Sequence, residues 1–299
     1  MRPSEPDAPR FERIVEFIAR NFQVLALPDA VDALAHGRLP AAAACITFDD
    51  GYADNLTVAA PILRRHGASA TVFVATAYID GGRMWNDSII EAVRVARPGE
   101  IDWRDFGLGF AAITDAASRL ALIPKALAQL KYLPIAERAE MASEIARRAG
   151  LGPSPDLMLS RRQLLDWRAL GFDVGGHTVN HPILARLNDG EAFAEIGDGR
   201  AQLAEWLGEA PQVFAYPNGV PGRDYGERDI ALVTRAGYGS AVSTERGASS
   251  RHCDRYQLPR FTPWDRSMWA FGLRCAQTIV AAPRAGTRQS AMDNMEVRT

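Results

Sequence analysis

Apolar positions along the chain fall into two alternating rhythms, helical spacing and short unbroken runs. Phe11, Ile14, Val15, Phe17 and Ile18 predict a helix over 11–22, and Pro28 and Asp29 open a short second helix that closes near Gly37. Residues 43–48 form a compact apolar run with β-branched Ile46 and Thr47, which predicts a buried strand stopped by Asp49, Asp50 and Gly51. Leu56, Ala59, Ala60, Ile62 and Leu63 then share one face of a predicted helix over 55–66, with Gly67 as its C-terminal cap. Further strands are predicted at 71–75, 172–176, 213–216, 240–243 and 258–261. Further helices are predicted at 160–170, between Ser160 and Gly171, and at 189–207 and 229–236.

Short apolar strands alternating with helices imply an α/β fold with a parallel sheet, open or closed into a barrel. In barrels, chemistry gathers just past the C-terminal strand ends. The stretch 84–159 carries helical patterns at 88–96, 115–131 and 135–149. It reads as a helical insertion over one face, not as a separate domain. A single domain is therefore expected over 1–280, followed by a polar, aperiodic and disordered tail over 281–299.

Composition narrows the classes. The 299 residues carry a net charge of −2 with no block of like charge, which argues against a nucleic-acid partner. No run of roughly 18 apolar residues is present, so no transmembrane segment is expected. Residues 1–10 contain Pro3, Pro6 and Pro9 and no apolar stretch, unlike a secretory signal. Cys45, Cys253 and Cys275 are odd in number and far apart, which suits a reducing compartment. These features point to the cytoplasm, with the inner membrane surface as a second possibility.

Three predicted strand ends bear polar clusters. The first is Thr47-Phe48-Asp49-Asp50-Gly51-Tyr52. Adjacent carboxylates after a strand point in different directions, so one could bind a metal while the other acts as a base. The plainer reading is a tight turn that caps the next helix. The second is His177-Thr178-Val179-Asn180-His181-Pro182, with imidazoles at i and i+4 that could share a cation or merely stack. Together the two clusters supply two imidazoles and a carboxylate with open positions, a donor set that suits Zn²⁺ best and admits Co²⁺, Mn²⁺ or Ni²⁺. The third is Phe214-Ala215-Tyr216-Pro217-Asn218-Gly219, a turn able to aim a backbone N–H into the site.

In this order and at these distances, TFDDG, HTVNH and FAYPNG resemble the NodB-homology polysaccharide deacetylases, carbohydrate esterase family 4, over about Pro40 to Arg260. Met84-Trp85-Asn86-Asp87 and the helical insertion resemble that family's exopolysaccharide branch. The resemblance implies a distorted (β/α)7 barrel with a divalent metal, commonly zinc. By position, Asp49 matches the catalytic base, Asp50, His177 and His181 the metal ligands, and the Asn218 N–H the oxyanion donor. The implied reaction is hydrolysis of N-acetyl groups on N-acetylglucosamine-type glycans or their glycolipid precursors.

Two departures from the family pattern stand out. Ala215 occupies the place of an arginine that orients the catalytic aspartate, and Arg260, at a later strand end, could reach the same spot. The late Leu-x-His motif, whose histidine protonates the leaving amine, is missing, and His252 does not match it. Tyr216 and Trp264 are the substrate-contacting candidates, and Asp87 reads as a helix N-cap. Two rival readings stand beside this one: a catalytically silent glycan-binding protein, which the departures keep open, and a metal-independent amide hydrolase of the allantoinase-like type, whose relatives lose the metal ligands that are present here.

Overall fold

The computed structural model describes residues 6–107, 109–152, 157–265 and 267–280; the expected tail at 281–299 lies outside them. The chain opens with α1 (Ala8–Asn21), whose cap Asp7 accepts from the Arg10 N–H at 2.9 Å. β1 (Gln23–Val24) and α2 (Leu27–Ala35) follow. The strand expected over 43–48 is two strands, because its halves pair with different neighbours. β2 (Ala43–Ala44) lies beside β1, whereas β3 (Ile46–Phe48) pairs with β4 (Ala70–Val74). As a sheet edge, β3 is half-buried rather than buried. The helix after it starts as a π-helical turn, Asn55–Ala59, and continues as α3 (Ala60–Arg65).

Within the insertion lie α4 (Trp85–Val95), β5 (Gly99–Trp103), β6 (Gly109–Ile113), α5 (Ala116–Leu130) and α6 (Ile135–Arg148). The antiparallel hairpin β5–β6 is an addition to the expected helices. The segment has its own apolar cluster, including Ile89, Val93, Phe106, Leu122, Leu130 and Ile145. It returns to the sheet through backbone bonds from Ala53 N–H to Leu157 O and from Leu159 N–H to Gly51 O, each 2.9 Å. The chain then runs through α7 (Arg161–Ala169), β7 (Asp173–Gly176), α8 (Asp189–Leu207), β8 (Val213–Ala215), α9 (Glu227–Arg235), β9 (Ser240–Arg246), β10 (Leu258–Arg260) and α10 (Met268–Val280). Ser160 and Gln163 form a capping box on α7.

The principal sheet is all parallel in the order β10-β9-β8-β7-β4-β3. Six strands are paired among the described residues, and the two edges, β3 and β10, do not close. The expected seven-stranded barrel is thus a curled half-barrel. Both faces of β4 are buried, as parallel strands require. Val72 and Val74 pack with Leu164 and Trp167, while Phe73 packs with Leu27, Val31 and Leu258. An apolar cavity of about 460 Å³ sits at the open seam, lined by Phe11, Ile18, Phe48, Leu258 and Phe271. No described helix is long and apolar enough to cross a membrane.

Candidate active site

The three motifs occupy the C-terminal ends of β3, β7 and β8, which the strand order places on one rim of the sheet. β7 carries Gly175 and Gly176 because nothing larger fits there. A Cβ at Gly175 would lie 2.4 Å from the Phe73 ring, and one at Gly176 would lie 1.9 Å from the Tyr238 hydroxyl. The strand therefore packs tightly against its neighbours before delivering His177 to the rim.

At that rim the backbone takes uncommon conformations. Asp50, Thr178, His181 and Asn218 all have positive φ, at 73°, 69°, 51° and 61°. Each such non-glycine residue costs about 1–3 kcal/mol, so surrounding bonds must hold it. Thr178 Oγ1 accepts from the His181 N–H at 3.0 Å. Glu195 of α8 is buried and takes the N–H groups of Val179 and Asn180 at 3.0 and 2.8 Å, with the Asn180 side-chain amide at 2.7 Å. Gly199 permits this approach, since a Cβ there would sit 3.0 Å from the Thr178 carbonyl carbon.

His177 is almost fully buried, and its Nδ1 donates to the Ala215 carbonyl at 2.7 Å. That bond ties the second motif to the third and leaves Nε2 as the free lone pair. The His177 and His181 Nε2 atoms stand 3.5 and 3.4 Å from Asp50 Oδ1. Candidate ligand atoms of the three residues all lie within 4.8 Å of one another. Asp50 Oδ1 is buried with no hydrogen-bond partner, a costly state for a carboxylate oxygen that a cation would relieve. The donor set of two imidazoles and one carboxylate thus fits a divalent metal. Burial, with the charges of His177 and Arg138, pushes His181 down to about 4, so it offers an unprotonated nitrogen. Burial also opposes the charged form of His177, but Asp50 and Asp49 leave its pKa raised.

Asp49 stands beside this cluster and points elsewhere. Arg260 grips both its oxygens, Nη1 to Oδ1 at 2.7 Å and Nη2 to Oδ2 at 2.9 Å. The guanidinium is held in turn by the Ser243 carbonyl at 2.9 Å. Arg260 belongs to β10 and Asp49 follows β3, so this bidentate pair spans the seam where the sheet fails to close. Burial would raise Asp49, yet the charges of Arg260 and His177 and the Arg260 hydrogen bonds hold it down at about 2. In the third motif, Thr244 fixes the turn from both sides: its Oγ1 donates to the Asn218 carbonyl at 2.7 Å and its N–H to the Gly219 carbonyl at 2.8 Å. The Asn218 N–H has no partner among the described residues.

Tyr216 and Asp87 stand differently from expectation, and Trp264 stays available at the surface. Tyr216 cannot meet substrate with its ring: it is fully buried and stacks on Tyr225 at 3.7 Å, because position 216 continues the inward alternation of β8. Trp264 is half exposed and makes no contact with the three motifs among the bonds and ring pairs described. Asp87 is the third residue of α4, not its cap, which is Met84. Its carboxylate accepts from the Tyr52 hydroxyl, both oxygens lying at 3.1 Å. The three histidines outside the cluster stand elsewhere, His36 with Asp32 on α2, His66 beside Glu12, and His252 exposed next to Arg251.

Comparison with known proteins bears on the family and the fold. Residues 36–102 and 125–239 match the profile of a family described as polysaccharide deacetylase. The Bacillus subtilis (strain 168) protein YxkH, whose name assigns it to the polysaccharide deacetylases, is 22% identical over 215 residues. That match covers 72% of this chain and 49% of YxkH, so the chain spans about half of that relative's length. Among solved structures, the deacetylase PplD of Streptococcus pyogenes, in complex with acetate, superposes with a TM-score of 0.59 at 20% identity, over 93% of this chain and 92% of that one. IcaB from Ammonifex degensii gives 0.58 at 17%, over 92% and 93%. At such identities the likeness is one of fold.

Proposed function

The chain belongs to the polysaccharide deacetylase family, and from that premise we propose that it hydrolyses N-acetyl groups on N-acetylglucosamine-type glycans or their glycolipid precursors. The observation that carries this reading is an ionised Asp49, clamped by Arg260, directly beside the buried Asp50, His177 and His181 donor set. A silent glycan-binding protein has no use for such a base, and a metal-independent hydrolase has no use for the orphaned Asp50 oxygen.

Asp50, His177 and His181 would hold the cation, which we take to be zinc. Bound there, it supplies Lewis acidity, polarising the acetamide and easing ionisation of water. The rest is the work of the chain. Asp49 takes a proton from the attacking water, with Arg260 fixing the carboxylate's direction. The Asn218 N–H is a fixed donor for the developing oxyanion, which needs no rearrangement as charge appears. Ala215, at the arginine position of the family pattern, leaves its carbonyl to His177, while the arginine arrives from β10 as Arg260.

We read residues 1–280 as one unit, because the ligands Asp50 and His177 come from either side of the insertion. We also propose that the protein works in the cytoplasm or at the inner membrane surface, which its three unpaired cysteines suit. Purified protein incubated with N-acetylglucosamine oligomers should release acetate and expose an equal number of primary amines. Acetate without amine, or neither product, would sink the proposal.

A further inference from the structure

Amide hydrolysis needs a proton on the departing nitrogen, since an amine anion is not a viable leaving group. A histidine that could donate it is missing from the described surroundings of the site: two of the five are the metal-ligand candidates, and His36, His66 and His252 stand elsewhere. The insertion supplies a different group. Asp87, in the first turn of α4, reaches Tyr52, two residues after Asp50 in the turn that also holds Asp49. Tyr52 is anchored at that rim by an isolated bridge to Met158 and lies in the field of Asp50.

We propose that Asp87 is the proton donor to the leaving amine, with Tyr52 as the residue that positions it. The inference rests on the deacetylase reading above. As the C–N bond breaks, its electron pair passes to nitrogen and the proton on the Asp87 carboxyl moves to that nitrogen. A free amine and acetic acid leave, and the acid gives its proton to solvent to become acetate. Asp87 regains a proton from solvent, and Asp49 returns to solvent the proton it took from water, which closes the cycle.

The surroundings of Asp87 keep a proton available near neutrality. Burial pushes its pKa up to about 6, and the negative charges of Asp50 and Glu91 push the same way. The Tyr52 hydroxyl and a backbone bond from Met84 oppose the rise. Tyr78 also lies in the field of Asp87. Two carboxyl groups at one rim, one held down at about 2 and one pushed up to about 6, is how a single site divides base from acid.

The test compares an amide with an ester whose leaving group needs no proton. Asp87→Asn should lower the rate of acetate release from N-acetylglucosamine oligomers by about 100-fold or more, while hydrolysis of p-nitrophenyl acetate changes by less than about threefold. The ester rate also reports that the variant is folded. Tyr52→Phe, which removes a bond favouring the ionised carboxyl, should move the alkaline limb of the amide profile to higher pH. Equal losses on amide and ester, or an unmoved limb in Tyr52→Phe, would overturn the role of Asp87 alone. Wild-type protein that cleaves the ester but no acetamide would overturn the deacetylase reading and this inference with it.

Discussion

Replacing Arg260 by alanine should disable the base without touching the metal ligands. The guanidinium makes two bonds to Asp49, at 2.7 and 2.9 Å, and its side chain is 15% exposed against 34% for the carboxylate. Without it, burial acts on Asp49 with less opposition, and the pKa climbs from about 2 back towards the ordinary 3.8 or beyond. The active form is the ionised one, so activity is present above the folded pKa and lost below it. A raised pKa must therefore shift the acid limb of the kcat/KM profile upward, by about two pH units if the whole depression is released. At neutral pH Asp49 stays ionised but is no longer aimed, and misplacement of a reacting group costs about 10²-fold. Losing the pair should also cost roughly 1–2 kcal/mol of stability, less than for a fully buried pair because Asp49 keeps a third of its surface in water. Arg260→Lys should recover the charge but not the fork, and so restore the acid limb more than the turnover. The assay is acetate release across pH 3 to 9, with urea unfolding alongside; the wild-type limb lies below this range and the Arg260→Ala limb enters it. An unmoved acid limb together with unchanged turnover in Arg260→Ala would refute the reasoning.

Other consequences are equally direct. Glu195→Gln turns one acceptor oxygen into a donor against the Val179 and Asn180 amides, and should weaken metal binding by about 10- to 100-fold in competition with a chelating dye; unchanged affinity would remove Glu195 from the support of that loop. Gly176→Ala drives a methyl into the Tyr238 hydroxyl and should destabilise the fold by about 1–3 kcal/mol in urea unfolding. Tyr216→Phe removes a buried hydroxyl that has no partner and should leave KM and stability nearly unchanged; a tenfold rise in KM would show that Tyr216 touches substrate after all.

The ligand and base candidates were legible because each set is contiguous and ends a strand: Asp49 with Asp50, and His177 with His181 one turn apart. Arg260 was legible too, since its strand end had to face the same rim. Tyr216 misled because a strand end can face either way, and only the packing of Tyr225 decides that it turns inward. Glu195 was invisible because a glutamate in a helix reads as a solvated face; its one trace is Gly199, a residue costly in mid-helix unless something must come close. Closure of the sheet was a matter of long-range geometry, and among the described residues the Arg260–Asp49 ion pair, not a strand, bridges the seam.

The central claim is that Asp49 performs base chemistry beside a cation held by Asp50, His177 and His181. It is tested most directly by measuring bound metal and acetate release together, in wild-type protein and in Asp49→Asn, before and after chelation. The account predicts one equivalent of divalent metal in both proteins, acetate release by the wild type that chelation abolishes and added zinc restores, and at most about 1% of that rate in Asp49→Asn. Protein that takes up no metal, or acetate release that survives both chelation and the substitution, would contradict it.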